Sequence, residues 1–372
     1  MKTAGIIFSN IHDQELPELT KFRTIASVPV AARYRLIDFA LSGLANAGIE
    51  EIGIITKSKY HSLVQHVGAG KPWDLDRKHG GVTIISPFVD VNSGALYTNR
   101  LEALQNSIGF VEELNCDNIV LADSDLLANI PYSDIIAQHE ESGADITAVY
   151  KEINFKRKRD NYNLEFTVAE DGTLAQIKVH NELKGSMNFG MNIYVIKRNV
   201  LLDMIHDSLV YGYKSFSREI LPYYLKRANV KTYEFTGFLY AACSLQDYFE
   251  ANMAILNDKN RNELFEQNGR SIYTQVRDSA PTIYGDTAEV NNSLIGDGCI
   301  IEGKVENSVI FRGVRIDEGA TVRNSIVMQD SIIEAGTDLN YIVTEKNVVV
   351  RKGRNISGCE GYPFFISYGS VL

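Results

Sequence analysis

The residues that could do chemistry fall at three places, each just past a short apolar run. These are Ser9-Asn10-Ile11-His12-Asp13-Gln14-Glu15 after Phe8, the segment after Ser86, and Asp123-Ser124-Asp125. Ligands of open α/β sheets bind beyond the carboxyl ends of the strands, so a polar group there can face a ligand. The seven histidines (12, 61, 66, 79, 139, 180, 206) show no metal-ligand spacing, and none lies beyond 206. The four cysteines (Cys116, Cys243, Cys299, Cys359) form no C-x-x-C pair, which argues against a zinc site or disulfide framework and for a reducing compartment. Lys156-Arg157-Lys158-Arg159 reads as a solvated loop rather than an anion-binding one. Trp73, the lone tryptophan, reads as a packing residue.

The elements that must position these residues follow from hydrophobic patterning. Ala4 to Phe8, Ile52 to Thr56, Val82 to Ser86, Ile119 to Ala122 and Ile146 to Tyr150 are strand-sized runs without alternation, as in strands buried on both faces. Ile37, Leu41, Leu44 and Gly48 share one helical face, as do Leu101, Leu104, Ile108 and Val111. Alternating β and α predicts a Rossmann-like, mostly parallel sheet covered on both faces. Leu245, Phe249, Asn252 and Leu256 mark a helix closing this domain at 257, and the polar stretch 258–280 reads as a connector. From 281 to 372 the pattern changes. Ile295 and Ile301 are six apart; Ile310, Ile316, Val322 and Met328 continue the spacing, as do Ile333 and Leu339. A hexapeptide apolar repeat punctuated by glycine predicts a parallel β-helix, with loops where the register breaks near Val305 and Asp330.

The chain has 372 residues and a formal net charge of −10, with 45% hydrophobic and 23% charged residues. That is a globular balance, and the acidic excess makes nucleic acid and anionic membrane poor partners. The first apolar run is too short for a signal peptide, and no stretch reaches the roughly 20 apolar residues of a membrane span, so a cytoplasmic protein is expected.

Several blocks carry a family resemblance. Arg33-Tyr34-Arg35-Leu36-Ile37-Asp38-Phe39 with Asn46-Ala47-Gly48-Ile49, Pro72-Trp73-Asp74-Leu75-Asp76-Arg77, Phe249-Glu250-Ala251-Asn252-Met253, and Ser308 to Ile316 resemble, in order, motifs of bacterial glucose-1-phosphate adenylyltransferases, the ADP-glucose pyrophosphorylases of glycogen synthesis. The resemblance implies a nucleotidyltransferase domain followed by a left-handed β-helix, usually in a tetramer. It also implies a reaction in which glucose-1-phosphate attacks the α-phosphorus of ATP. Such a reaction is catalysed mainly by positioning and charge neutralisation.

The family pattern for that chemistry is eroded here. Where the pattern has G-G-x-G-x-R-L, this chain has Asn10, Ile11 and Asp13 for the glycines and Glu15 for the arginine. A family lysine falls on Ile25. Asp125 matches one metal-binding carboxylate, or reads equally as a capping or turn aspartate at a strand end, and the second carboxylate falls on Ala241, so Mg²⁺ would be held weakly. The sugar-phosphate loop is shortened to Val89-Asp90-Val91-Asn92-Ser93-Gly94, the E-K-P motif has only Glu182-Leu183-Lys184, and a serine becomes Gly190. Arg33, Arg35, Tyr97 and Lys184 are the residues that could still hold a ligand.

The resemblance therefore points to the non-catalytic, GlgD-type regulatory subunit. Such a chain needs no cofactor of its own, leaves Mg²⁺ to its catalytic partner, assembles with that partner in a heterotetramer, and has scope for a sugar-phosphate effector. Two other readings stay open: an active enzyme with a divergent loop, using Lys21, Arg33 or Arg35 as its cation, and a sugar-phosphate-sensing scaffold.

Overall fold

The computed structural model describes residues 1–86 and 97–372, with the side chains at 156–163 and 181–183 set aside. The first domain is built on a seven-stranded sheet. Its strands are β1 (Thr3–Phe8), β2 (Glu51–Ile55), β3 (Gly81–Ile85), β4 (Asn118–Asp123), β5 (Ile146–Val168), β6 (Leu174–Lys197) and β7 (Val230–Glu234), in the order β7-β5-β6-β4-β1-β2-β3. All neighbours are parallel except β6, which runs antiparallel to both β4 and β5. The chain winds outward from β1 through β2 to β3 and then returns to place β4 on β1's other side. This reversal opens a crevice beyond Phe8 and Asp123, which are register partners.

The expected strands are all present. β1 and β4 are buried on both faces, which is why their sequences lack alternation. One side of the sheet carries a core that includes Ile7, Ile37, Leu41, Leu44 and Val120, and the other a core that includes Ile6, Phe8, Leu104, Leu121 and Tyr194. Gly53 in β2 is required by packing, since a Cβ there would lie 2.6 Å from the Phe110 ring.

Helix boundaries differ from the periodic reading in instructive ways. Helix α1 spans Leu36–Asn46, and Gly48 lies past its end at φ +75°. The face marked by Leu101, Leu104, Ile108 and Val111 is divided between α2 (Arg100–Asn106) and α3 (Ile108–Glu113), which break at Ser107. Helix α4 spans Tyr132–Ser142 and α5 Leu245–Ala254, so Leu256 follows α5 rather than belonging to it. The segment read as a connector contains α6 (Asp258–Phe265), anchored by fully buried Leu264. Lys156–Arg159 is not a loop, because the backbone there belongs to β5. Val89 to Gly94 lies outside the described residues.

The second domain is three parallel five-stranded sheets, as in a left-handed β-helix. Ile301, Ile316, Ile333 and Val350 stack along one inner face and Val305, Val322 and Leu339 along another. The expected loop at Val305 is absent; that residue sits fully buried in the strand Lys304–Glu306. Asp330 occupies a tight corner at φ +58° rather than a loop. The register breaks because corners differ in length: Ile300 lies beside Arg315, 15 residues on, whereas Arg315 lies beside Ile332, 17 residues on. One hexad assignment also shifts, since Val327 points into the coil and Met328 points out toward the first domain.

The two domains share a core. Leu16, Leu19, Ile25, Tyr248, Phe249 and Leu264 meet Val309, Phe311, Ile326 and Met328. Within this seam Arg23 donates to the Glu345 carboxylate, with both side chains almost wholly buried.

Buried His139 in α4 gives the first domain an acid sensitivity. Its Nδ1 lies 2.8 Å from Thr147 Oγ1, and burial, with Lys197 nearby, pushes its pKa down to about 4 despite Glu140 and Asp145. The ring is neutral in the fold and ionises more readily once unfolded. Its stabilising contribution is therefore complete above the unfolded value near 6.5 and is lost as pH falls toward about 4. The unfolding free energy from urea titration should decline across that window by no more than about 1.4 kcal/mol per pH unit from this group. The decline should be shallower in His139→Gln; parallel pH profiles for the two proteins would exclude the effect.

Candidate functional site

The floor of the crevice between β1 and β4 is crossed by a network of charges. Past Phe8 the chain turns: the Ser9 hydroxyl and amide both donate to the Ile55 carbonyl, at 2.9 and 3.1 Å. A single short helical turn, Asp13–Glu15, follows. This directs His12 back over the strand ends. His12 Nε2 lies 2.9 Å from Asp123 Oδ2 and 3.9 Å from Asp125 Oδ2, while Nδ1 lies 2.9 Å from Glu15 Oε1. From the other side Arg100, the first residue of α2, donates to the same Asp123 oxygen and, at 3.0 Å, to Asn192 Oδ1. The Arg100 guanidinium is held against the rings of Phe8, Phe216 and Tyr194, 5.3–5.9 Å from their centroids.

The electrostatics follow from burial opposed by pairing. Burial works against the charge on His12, but Asp125, Glu15 and Asp123 outweigh it and raise its pKa well above 6.5. Burial would raise Asp123, and Arg100 and His12 more than offset it, so its pKa falls below the ordinary value. Asp125 lacks the guanidinium; burial, with Asp123 and Glu15 nearby, pushes it up to about 6 against the pull of His12. What remains of the crevice is a cleft of about 670 Å³ lined by Ile11, His12, Glu15, Lys57, Arg100 and Asn192 among others.

The substituted positions satisfy one another. Asn10 is fully buried, and its Oδ1 accepts from the Tyr97 hydroxyl at 2.7 Å. Asp13 Oδ1 accepts from the Ile25 amide at 2.7 Å, and the Ile25 side chain belongs to the interdomain core. The side chains at these positions are thus engaged with Tyr97 and Ile25 of the same chain, and Asp13 and Glu15 add negative charge where a polyphosphate would need amides and a cation. Ala241 pairs with Leu126 and is followed by Ala242, whose amide donates to the Asp125 carbonyl at 2.9 Å. Position 241 therefore does lie beside Asp125, and it carries a buried methyl group rather than a carboxylate. Mg²⁺ prefers hard oxygens and retained water. Asp123 and Asp125, already shared with the Arg100 guanidinium and the His12 imidazole, do not fit it.

The proposed ligand-holding residues separate. Tyr97 is buried and spent on Asn10. Lys184 is an exposed residue of β6 and is not among those lining the cleft. Gly190 has no room for the serine of the family pattern, because a Cβ there would lie 2.6 Å from the Phe166 ring. Trp73 packs as expected, its Nε1 donating to Ser42 Oγ at 3.1 Å.

Arg33 and Arg35 lie elsewhere, in a basic cluster on the seam between domains. Arg35 donates to the Ser62 carbonyl and hydroxyl, at 2.6 and 2.9 Å. Burial lowers its pKa to about 10; Asp38 opposes that, and Arg277, Arg23 and Arg312 reinforce it. Lys346 is brought down to about 8 by burial and then by Arg23 and Arg35. Arg312 is lowered by burial and by Arg33.

Arg100 and Asn192 are site residues that sequence reasoning missed, and His12 and Asp123, read only as parts of polar segments past the strand ends, prove to be partners. Asp123 was readable as the last residue of a buried strand, and Asn192 adopts φ +58° within β6. The approach of His12 across the turn had no sequence signal.

Residues 13–258 match the nucleotidyl transferase family model and 280–360 the C-terminal hexapeptide of GlmU-like proteins. With this sheet order and the site at its reversal, the first domain is a nucleotidyltransferase domain. The chain is 33% identical to a glucose-1-phosphate adenylyltransferase of Thermomicrobium roseum, over 93% of its length and 81% of that protein's. It is 32% identical to one from Fervidobacterium nodosum, covering 95% and 85%, and 28% identical to one from Bacillus mycoides, covering 95% and 96%. The chain belongs to the glucose-1-phosphate adenylyltransferase family.

Breaking the network should be costly. Asp123→Ala leaves the Arg100 guanidinium buried without its carboxylate and should lower unfolding free energy by about 3–5 kcal/mol. Glu15→Gln, at the wetter end, should lower it by about 1 kcal/mol or less. Urea titration distinguishes them, and equal effects would refute the ranking.

Proposed function

We propose that this chain is a regulatory, catalytically impaired subunit of ADP-glucose pyrophosphorylase. It assembles with a catalytic subunit and raises that subunit's activity or tunes its response to metabolites. The observation that carries this reading is the internal pairing of charges at the reversal of the sheet. Glu15 and Asp13 stand where polyphosphate would need amides and a cation, and His12 and Arg100 occupy the face of Asp123. With Ala241 in place of the second carboxylate, the chain requires no cofactor of its own, and Mg²⁺ serves the catalytic partner. Activation works by differential binding: the partner's active conformation must bind this chain better than its inactive one does. The solenoid, whose outer faces are flat, supplies contact surface for the hetero-oligomer.

The basic cluster supports an effector role. Arg23, Arg33, Arg35, Arg277, Arg312 and Lys346 repel one another in a partly buried seam that holds Asp38, Glu345 and Asp297 as its acids. A phosphorylated sugar relieves that repulsion, and binding on the seam couples the two domains.

The test is turnover of ATP and glucose-1-phosphate by the purified chain, by a catalytic homologue from the same cell, and by their mixture. The chain alone should show less than about 1% of the homologue's rate, and the mixture should exceed the homologue alone. Full turnover by this chain alone would establish the active, divergent enzyme instead. Separately, a hexose phosphate should raise the melting temperature of the wild type, and Arg35→Ala and Arg277→Ala should each abolish most of that rise. Stabilisation that persists in both variants would remove the effector from the seam.

A further inference from the structure

We propose that the groove between α5, α6 and the asparagine corners of the solenoid binds a neutral oligosaccharide, held by side-chain amides and stacked on Tyr341. The inference is independent of the regulatory reading, since it uses neither the crevice nor the basic cluster.

The groove comes from the fold. Asn292, Asn307 and Asn324 turn three successive coils at φ +40°, +46° and +46°, and Tyr341 turns the fourth at +55°. Asparagine takes this left-handed conformation readily, so its place at a corner is structural in origin. Stacked corners carry their side chains as a column, one per coil, about 4.8 Å apart. Phe249 and Met253 of α5 and Asn257 at the start of α6 complete a groove of about 750 Å³ with that column.

The column is polar in a particular way. Asn292 Nδ2 donates to Asn307 Oδ1 at 2.7 Å, and Asn324 Nδ2 donates to Asn340 Oδ1 at 2.9 Å. The amide ladder therefore breaks between Asn307 and Asn324. No hydrogen bond among the described residues reaches Asn307 Nδ2 or Asn324 Oδ1, which leaves a donor and an acceptor one coil apart in the groove. A hydroxyl donates and accepts at once, so adjoining hydroxyls of a sugar ring satisfy both.

Tyr341 supplies the apolar half. A tyrosine at positive φ is an outlier, unlike the asparagines it follows. Its ring is half-buried, lies 6.2 Å from that of Phe249 and lines the groove. The C–H face of a pyranose can stack on such a ring while its hydroxyls reach the amides.

Charge excludes other ligands. Glu250, Asp258 and Glu360 line the groove, and among the described residues no lysine or arginine does, so a phosphate is repelled. Asp258 is paired with Arg261, and Glu250 accepts from Gln246 at 2.9 Å, so these acids do not form a cation trap. Amides and a ring with little free charge suit a ligand that is uncharged and rich in hydroxyls. Four corners span about 14 Å, longer than one sugar ring, which favours an oligosaccharide over a monosaccharide.

The experiment titrates the full chain with maltohexaose, cellohexaose and glucose by calorimetry. At least one hexasaccharide should bind, one per chain, with a Kd of about 1 mM or lower, and glucose should bind at least about 10-fold more weakly. Asn307→Gly and Tyr341→Asn, both compatible with positive φ, should keep the wild-type circular dichroism and weaken binding about 3- to 10-fold. Hydrogen exchange of the wild type, which needs no variant to fold, should slow at 249–258 and at the corners between 292 and 341 when the hexasaccharide is present. The proposal fails if neither hexasaccharide reaches a Kd of about 1 mM, if glucose binds as well as they do, if protection lies elsewhere, or if both variants bind as tightly as wild type.

Discussion

A carboxylate buried at the end of a central strand can stay ionised only if cations come to it, and Asp123 draws two. Its side chain is 1% exposed, and Arg100 and His12 both reach the same oxygen. Meeting that demand fixes much else. Arg100 must head α2, with its guanidinium against Phe8, Phe216 and Tyr194, and the chain after Phe8 must turn tightly enough to bring His12 back. That turn in turn places Asp13 on the Ile25 amide and Asn10 under Tyr97. Replacing a buried ion pair by apolar groups often costs nothing, whereas losing one partner costs several kcal/mol. The network therefore acts as a constraint on the loop more than as a source of net stability.

The second organising feature is the seam. The loop after β1 contributes Leu16, Leu19 and Ile25 to the core shared with the solenoid, and Arg23 reaches Glu345 across it. The charge network at the crevice and the interdomain contact are thus two ends of one short segment, residues 10–25. Any event that shifts this segment at one end is felt at the other, because packed cores deform little and tend to rearrange as units. The physical route from the basic cluster to the crevice is therefore short and made of named contacts.

Periodicity and run length made the architecture legible, because both depend on local burial. β1 and β4 read as buried runs, and the solenoid read as a hexapeptide repeat. The failures are also local in cause. Gly48 kept the helical spacing after the helix had ended, and α2 and α3 shared a face across the break at Ser107. Met328 kept a six-residue spacing that corners of unequal length had already displaced by one position. Within the site, Ala241 fell beside Asp125 as the family pattern implies. Arg33, Arg35 and Lys184 share cationic character but not location, and spacing alone could not separate a seam from a cleft. His12 was legible as part of the polar segment past the first strand but not as the partner of Asp123, which lies 111 positions away; only the reversal of the sheet brings them together.

Loss of a catalytic residue and gain of a stable surface need not be separate events. A loop that must bind polyphosphate keeps unsatisfied N–H groups, small residues and a cation ready, and each of these leaves the empty protein less stable. Here Asn10, Asp13 and Glu15 have partners inside the chain, and Ala241 and Gly190 are packed where a carboxylate or hydroxyl would need solvent or ligand. On the proposed regulatory reading, a chain relieved of turnover can satisfy such positions internally while its sheet, seam and solenoid keep the family's frame. That combination, a preserved frame around an internally satisfied centre, suits a subunit whose work is done through contact with another chain.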